Sequence, residues 1–86
     1  MTPELKTHIL RFNRALEPFK VMLVNRRVEL SSQDWLHLVN RTKEGILNQP
    51  DQYLGKDLPD AETLSMAIDK IFSDFLKVQK VEQPQS

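Results

Sequence analysis

Three residue types that can perform hydrolytic chemistry stand together in the stretch LSSQDWLH. Ser31, Asp34 and His37 are the components of a serine hydrolase triad, in which histidine takes the hydroxyl proton and a carboxylate orients the histidine. Ser31 also precedes a helical pattern, with Asp34 three residues later, which is the spacing of a capping box. A capping serine commits its oxygen to backbone N–H groups, and no glycine-rich nucleophile elbow surrounds it. We therefore predict a helix start here, no catalytic residue, and a protein that is not an enzyme.

Residues 51–62, DQYLGKDLPDAE, have the length of a calcium-binding EF-hand loop, with Asp first and Glu last. The interior departs from that loop. Tyr53 stands at the third position, Gly55 at the fifth, and Lys56 at the sixth, where the sharp turn requires glycine. Since two side-chain ligands are missing, we interpret the segment as a proline-bounded connection in which Tyr53 and Leu54 fold back onto the bundle.

Other metal and cofactor signatures are also missing. His8 and His37 have no second histidine three or four residues away, and the chain has no cysteine, so neither a zinc pattern nor a disulfide arises. Gly45 and Gly55 are the only glycines, which excludes a glycine-rich phosphate loop. We expect no cofactor, no metal and no small-molecule substrate.

The net charge is zero but unevenly distributed. Residues 1–27 hold six Lys or Arg against two Glu, and residues 28–86 hold six against ten carboxylates. This asymmetry suggests either a nucleic-acid-binding arm or a basic helix packed beside an acidic one in the same domain. The packed arrangement is favoured because the basic residues form no single stripe. Nucleic-acid binding remains the alternative function, with these candidate residues: Arg11, Arg14, Arg26 and Arg27.

The first helix is predicted over residues 3–26, with Thr2 as its N-cap and Pro3 at its first position. Pro18 lies inside this span, so the helix should be kinked there, with two helices split near Glu17 as the alternative. A continuous apolar stripe supports one rod, because its members recur at spacings of four and three: Leu5, Ile9, Phe12, Leu16, Phe19 and Leu23.

Two further helices complete a predicted all-α, three-helix bundle, with a short fourth helical turn near residues 51–55. The second helix runs from Ser32 to Asn48 and contains Gly45, where we expect close approach of another backbone. The third starts at Asp57 or Asp60, with Pro59 in its first turn. Its apolar stripe consists of the following residues: Leu64, Ile68, Ile71, Phe75 and Val78.

The chain length indicates one helical domain over residues 1–81, and the polar segment 82–86 is predicted to be a disordered tail. A domain of this size gains stability from a partner subunit. The first ten residues lack the pattern of a signal peptide, and no apolar run reaches about 18 residues, so we expect a cytoplasmic protein without membrane contact.

Surplus apolar residues outside the main stripes predict a protein-binding surface. Leu10 and Val21 fall on the outer side of the first helix, and Met66 lies almost opposite the stripe of the third. Phe72 and Leu76, four residues apart, either complete a four-helix seam in a symmetric homodimer or pack inside the monomer against the Tyr53–Leu54 linker. We therefore expect a regulatory or adaptor protein that acts through helix–helix contacts and forms a homodimer or binds a protein partner.

Overall fold

The computed structural model describes residues 2–79, and within that range it contains five α-helices and no strand. The predicted all-α class is confirmed. The predicted disordered tail, residues 82–86, lies outside the described residues. The helices have the following bounds: α1 Pro3–Ala15, α2 Glu17–Arg26, α3 Ser32–Asn48, α4 Pro50–Leu54 and α5 Ala61–Val78.

The first predicted rod is divided into α1 and α2 at Leu16, so the split near Glu17 describes the chain better than one kinked helix. Pro18 causes the break, because it has no N–H to donate to the carbonyl of Arg14 four residues earlier. In the observed arrangement Pro18 occupies the first turn of α2, where the missing N–H costs nothing. The break lets α1 pack along α5 while α2 packs against α3.

Side-chain caps begin three of the helices. The hydroxyl of Thr2 accepts a hydrogen bond from the N–H of Leu5 at 3.1 Å, which confirms the predicted start of α1. The hydroxyl of Ser31 accepts one from the N–H of Asp34 at 3.1 Å, so its oxygen is committed to capping α3, as predicted.

The start of α5 differs slightly from the prediction. Asp60 is the cap, and its carboxylate accepts from the N–H of Thr63 at 3.5 Å. Pro59 therefore lies just before the cap, outside the first turn where it was expected. The cap and its acceptor oxygen define where α5 begins.

The core forms where the inner faces of α1, α2, α3 and α5 meet. Trp35 lies at its centre, 1% exposed, and its indole N–H donates to the backbone carbonyl of Leu23 at 2.6 Å. This carbonyl is available because α2 ends there: the N–H of Arg27 bonds to Val24 instead of Leu23. The indole therefore caps the end of α2 and ties it to α3.

The short helix α4 confirms the predicted helical turn between the second and third long helices. Leu54 is buried and Tyr53 is partly buried, with the Tyr53 ring edge-on to Phe19 at 5.3 Å between centroids. Gly55 ends α4 with φ of 91°, a left-handed conformation that favours glycine. The expectation of a close backbone approach at Gly45 is wrong, because a Cβ built there would meet no atom within 4 Å.

Candidate functional site

The five residues predicted to bind a protein partner fall into two groups. Leu10, Val21 and Met66 are exposed to 65%, 51% and 52%, respectively, so the prediction placed them correctly outside the core. Phe72 and Leu76 are only 4% and 9% exposed. The first three remain candidates for direct contact with a partner, whereas the other two are part of the folded core.

Phe72 and Leu76 are buried within the monomer, but their neighbours differ from the predicted ones. They line a groove between α5 and α3 together with Leu36 and Val39 of α3. The packing of α4 is against α1 and α3, so the Tyr53–Leu54 segment is not their main cover. A charged substitution at Phe72 would therefore disrupt the fold, and it cannot serve as a selective probe of partner binding.

A different surface carries the exposed apolar area. We call it the α2–α5 groove and define it by Val21 and Val24 of α2 with Val78 of α5 at its rim, and Ile71 and Phe75 at its base. The three rim valines are 51%, 42% and 75% exposed, whereas Ile71 and Phe75 belong to the core. The groove encloses about 470 Å³. Solvent therefore meets a continuous apolar surface that reaches the core.

Exposed valines line the groove because α2 carries apolar residues on both of its faces. Residues 21–24 are four consecutive apolar residues, and four neighbours on a helix cannot share one side. Leu23 turns inward and is fully buried, while Val21 and Val24 face outward. The helix α2 packs mainly on α3, and no segment of residues 2–79 covers these valines or Val78.

Sequence reasoning placed Val78 wrongly and missed Val24. Val78 continues the apolar stripe of α5, which predicted burial, but it is 75% exposed because no segment of residues 2–79 covers its side chain. Val24 could have been found from the run of residues 21–24, which is more apolar than one buried face requires. The exposure of Val78 depends on which distant segment lies against the end of α5, and the periodicity of α5 does not contain that information.

Polar side chains flank the groove, with Glu17 and Lys20 on the α2 side and Asp74 on the α5 side. On the side of α2, the ammonium group of Lys20 donates to the amide oxygen of Asn13. On the side of α5, Asp74 accepts from Lys70 at 3.1 Å. All of these side chains are exposed or only partly buried. The groove therefore has the composition of a protein-docking site, with an apolar centre and a polar rim.

Three of the four arginines proposed for nucleic-acid binding contact other parts of the chain. Arg11 pairs with Asp57 at 3.1 Å, and Arg26 pairs with Glu29 at 3.0 Å. Arg27 donates to the backbone carbonyl of Gln79 at 2.7 Å.

The guanidinium of Arg27 also lies 5.1 Å from the centre of the Trp35 ring, while Arg14 is exposed and forms no ion pair within residues 2–79. Arg11, Arg26 and Arg27 are therefore each held in a separate structural contact, and Arg14 is not.

The groove between α3 and α5 contains a histidine together with other polar side chains. His37, Asp69 and Ser73 all line it, and they include the residue types of a hydrolytic site. Asp69, however, pairs with Lys43 at 2.5 Å, and His37 forms no hydrogen bond to either residue within the described range. The carboxylate that would orient the histidine is held by lysine, so the three residues do not form a catalytic relay.

Within residues 2–79, no three His, Cys, Asp or Glu side chains are grouped in a way that could hold a metal ion. None of the helices described here is both long enough and apolar enough to cross a membrane. Comparison of the chain with protein-family models, with curated proteins and with solved structures found no match.

Proposed function

We propose that this chain is a non-enzymatic protein-binding module that docks an amphipathic helix of a partner protein in the α2–α5 groove. The observation that supports this proposal is the exposure of Val21, Val24 and Val78 directly beside core residues of α5. Exposed apolar residues that form a continuous surface differ from single ones, because covering them together releases more water from apolar contact.

A helix is the partner element that best suits this site. The groove runs between two helices, and a third helix laid against them can place side chains at spacings of three and four into it. Full burial of a valine is worth roughly 1.5 kcal/mol, so completing the burial of three half-exposed valines contributes about 2 to 3 kcal/mol from this side. The partner's own apolar face adds a similar contribution, against an association cost of about 4 kcal/mol or more.

The charged rim specifies the flanks of the partner helix. Glu17 and Lys20 lie on the α2 side and Asp74 on the α5 side, so the complementary helix carries a carboxylate placed at Lys20 and a basic residue toward Asp74. Such charges orient the partner helix and select its direction more than they strengthen its binding. The proposed ligand is therefore a helix with a Leu- or Ile-rich stripe, a basic residue on the flank that faces Asp74 and a single carboxylate at Lys20 on the other flank.

A synthetic peptide of this design provides the direct test. Titrated into ¹⁵N-labelled protein, it should shift the backbone resonances of residues 20–25 and 71–79 and leave those of α3 unchanged. Val24→Lys should weaken the peptide at least about tenfold, because it removes buried apolar area and places a charge in the centre of the contact. Met66→Lys is the matched control, because Met66 is also about half exposed but lies outside the groove.

The same variants identify a natural partner. Proteins retained from host extract by the wild type and by Met66→Lys, but lost with Val24→Lys, are the expected ligands of the groove. The proposal is wrong if the peptide shifts resonances elsewhere, or if Val24→Lys and wild type bind it equally. The cytoplasmic location expected from the sequence stays a prediction.

A further inference from the structure

A second surface of the same chain has the composition of a self-association site. We call it the outer face of α1–α2 and define it by Leu10, Arg14, Glu17 and Val21. All four residues are exposed, and the two apolar ones are 65% and 51% exposed. Their spacing is four, three and four residues, which places them in one row along a helix.

The break at Leu16 does not disrupt this row. The N–H of Leu16 donates to the carbonyl of Phe12 at 2.9 Å, and the N–H of Lys20 donates to the carbonyl of Leu16 at 3.1 Å. These helical bonds on both sides of the break keep α2 nearly in phase with α1. Phe12, Leu16 and Leu23 accordingly all point into the core, so the opposite sides of the two helices share one solvent-exposed surface.

The order of residue types on this face is self-complementary. From the N-terminal end it reads apolar, positive, negative, apolar, and the spacing is symmetric about the bond between Ala15 and Leu16. If a second copy lies antiparallel on this face, Leu10 of each copy meets Val21 of the other. Arg14 of each copy then meets Glu17 of the other. Apolar side chains therefore contact each other at the two ends of the interface, and opposite charges contact each other at its centre.

The two central charges are available for such contacts. The ion pairs within residues 2–79 involve Arg11, Arg26, Lys43 and Lys70, and neither Arg14 nor Glu17 takes part in one. The chain also has a formal net charge of zero, so two copies approach without overall repulsion.

We propose that a second copy of this chain docks antiparallel on the outer face of α1–α2, giving a two-fold symmetric dimer. The dimer contact is isologous, with its axis passing near the Ala15–Leu16 bond. This inference goes beyond the helix-docking function, because it names a different surface and a different partner. The two surfaces meet at Glu17 and Val21, which also line the α2–α5 groove.

Charge exchange tests the dimer. Sedimentation equilibrium should give a concentration-dependent mass that approaches twice the monomer's 10.1 kDa for the wild type. In a dimer of Arg14→Glu, each new carboxylate faces Glu17 of the other copy. In a dimer of Glu17→Arg, each new guanidinium faces Arg14 of the other copy. Because like charges meet twice in both cases, each variant should self-associate about ten- to a hundredfold more weakly. A mixture of the two variants should associate as well as wild type. In the mixed dimer one copy presents two carboxylates at the centre and the other presents two guanidinium groups, so both central pairs join opposite charges.

Two further variants separate charge from packing and folding. The double exchange Arg14→Glu with Glu17→Arg restores opposite charges and should recover the wild-type association. Leu10→Asp removes an apolar contact and should abolish dimerisation. The substituted positions are all exposed, so circular dichroism and thermal unfolding of the dilute monomer should stay close to wild type.

Several outcomes overturn the proposal. A wild-type protein that remains monomeric at millimolar concentration excludes the dimer. If the wild type dimerises but the Arg14→Glu and Glu17→Arg mixture does not pair, a different surface mediates association. Failure of this dimer is separable from failure of the groove, since Val24→Lys lowers peptide binding and leaves the central charge pairs intact. Binding of the designed peptide to the Leu10→Asp monomer would support the groove even with the dimer excluded.

Discussion

The hydrogen bond from Trp35 to the end of α2 allows a quantitative prediction for Trp35→Phe. The indole N–H donates to the carbonyl of Leu23 at 2.6 Å inside the core, where Trp35 is 1% exposed. Phenylalanine preserves an aromatic ring beside Phe75 but has no donor. The buried carbonyl of Leu23 then loses its partner, because the N–H of Arg27 bonds to Val24.

Three contributions set the size of the effect. An unsatisfied buried carbonyl costs about 1 to 3 kcal/mol, and the smaller ring leaves a void worth about 1 kcal/mol. The contact of the Arg27 guanidinium with the Trp35 ring, now 5.1 Å from the ring centre, loses up to about 0.5 kcal/mol. We expect the free energy of unfolding to fall by about 2 to 4 kcal/mol, which is a large fraction of the stability of a domain of this size.

Chemical unfolding followed by circular dichroism at 222 nm measures this difference, with the slope against denaturant checked for two-state behaviour. Benzothienylalanine at position 35 is a further control, because it keeps two fused rings and carries a sulfur atom, which cannot donate, in place of the N–H. It should lose the hydrogen-bond contribution of about 1 to 3 kcal/mol and retain most of the aromatic packing. A loss below about 0.5 kcal/mol in that protein would show that the indole does not stabilise the end of α2 through this bond.

Three other substitutions test the backbone and the caps. Gly45→Ala should raise the free energy of unfolding by about 1 kcal/mol, because Gly45 lies inside α3 with open space around its Cα; an unchanged or lower stability in urea unfolding would indicate crowding. Gly55→Ala should lower it by about 1 kcal/mol in the same assay, because alanine is strained at φ of 91°, and equal stability would refute that strain. A hydrogen bond from the Thr63 side chain, and weaker ones from backbone N–H groups at the start of α5, hold the pKa of Asp60 below its usual value, against an opposing effect of desolvation. The resulting stability is present above the unfolded-state pKa and is lost as the pH falls through the folded-state pKa. Asp60→Asn should therefore reduce the loss of stability between neutral pH and about pH 3. An unchanged loss of stability in urea unfolding would exclude the cap as its source.

The two proposed surfaces explain a feature of α2 that folding alone does not require. Leu23, with the partly buried Phe19 and Met22, packs α2 on the core, and the indole bond from Trp35 ties its end to α3. Val21 and Val24 add apolar area that faces solvent, which gives the isolated chain no comparable burial energy. We infer that this excess serves contact with other proteins, at the groove for Val24 and at its edge for Val21.

Local sequence was sufficient to predict the starts of α1 and α3 and most of the core. Thr2 and Ser31 place hydroxyl oxygens beside free backbone N–H groups, and these interactions extend only three residues along the chain. Regular apolar spacing likewise identified Trp35, Val39 and Ile46 as the buried face of α3. Such features depend on helix periodicity and local hydrogen bonding, which are contained in short stretches of sequence.

The direction in which helices pack was decided only in the tertiary structure. Val78 and Phe72 are both apolar residues of α5, yet Val78 is exposed and Phe72 is buried, which reverses the expectation for Val78. The difference arises because α3 covers the side of α5 that carries Phe72, whereas no segment of residues 2–79 covers Val78. A helical pattern determines which side chains share a face, but the burial of that face depends on which distant helix comes to lie against it.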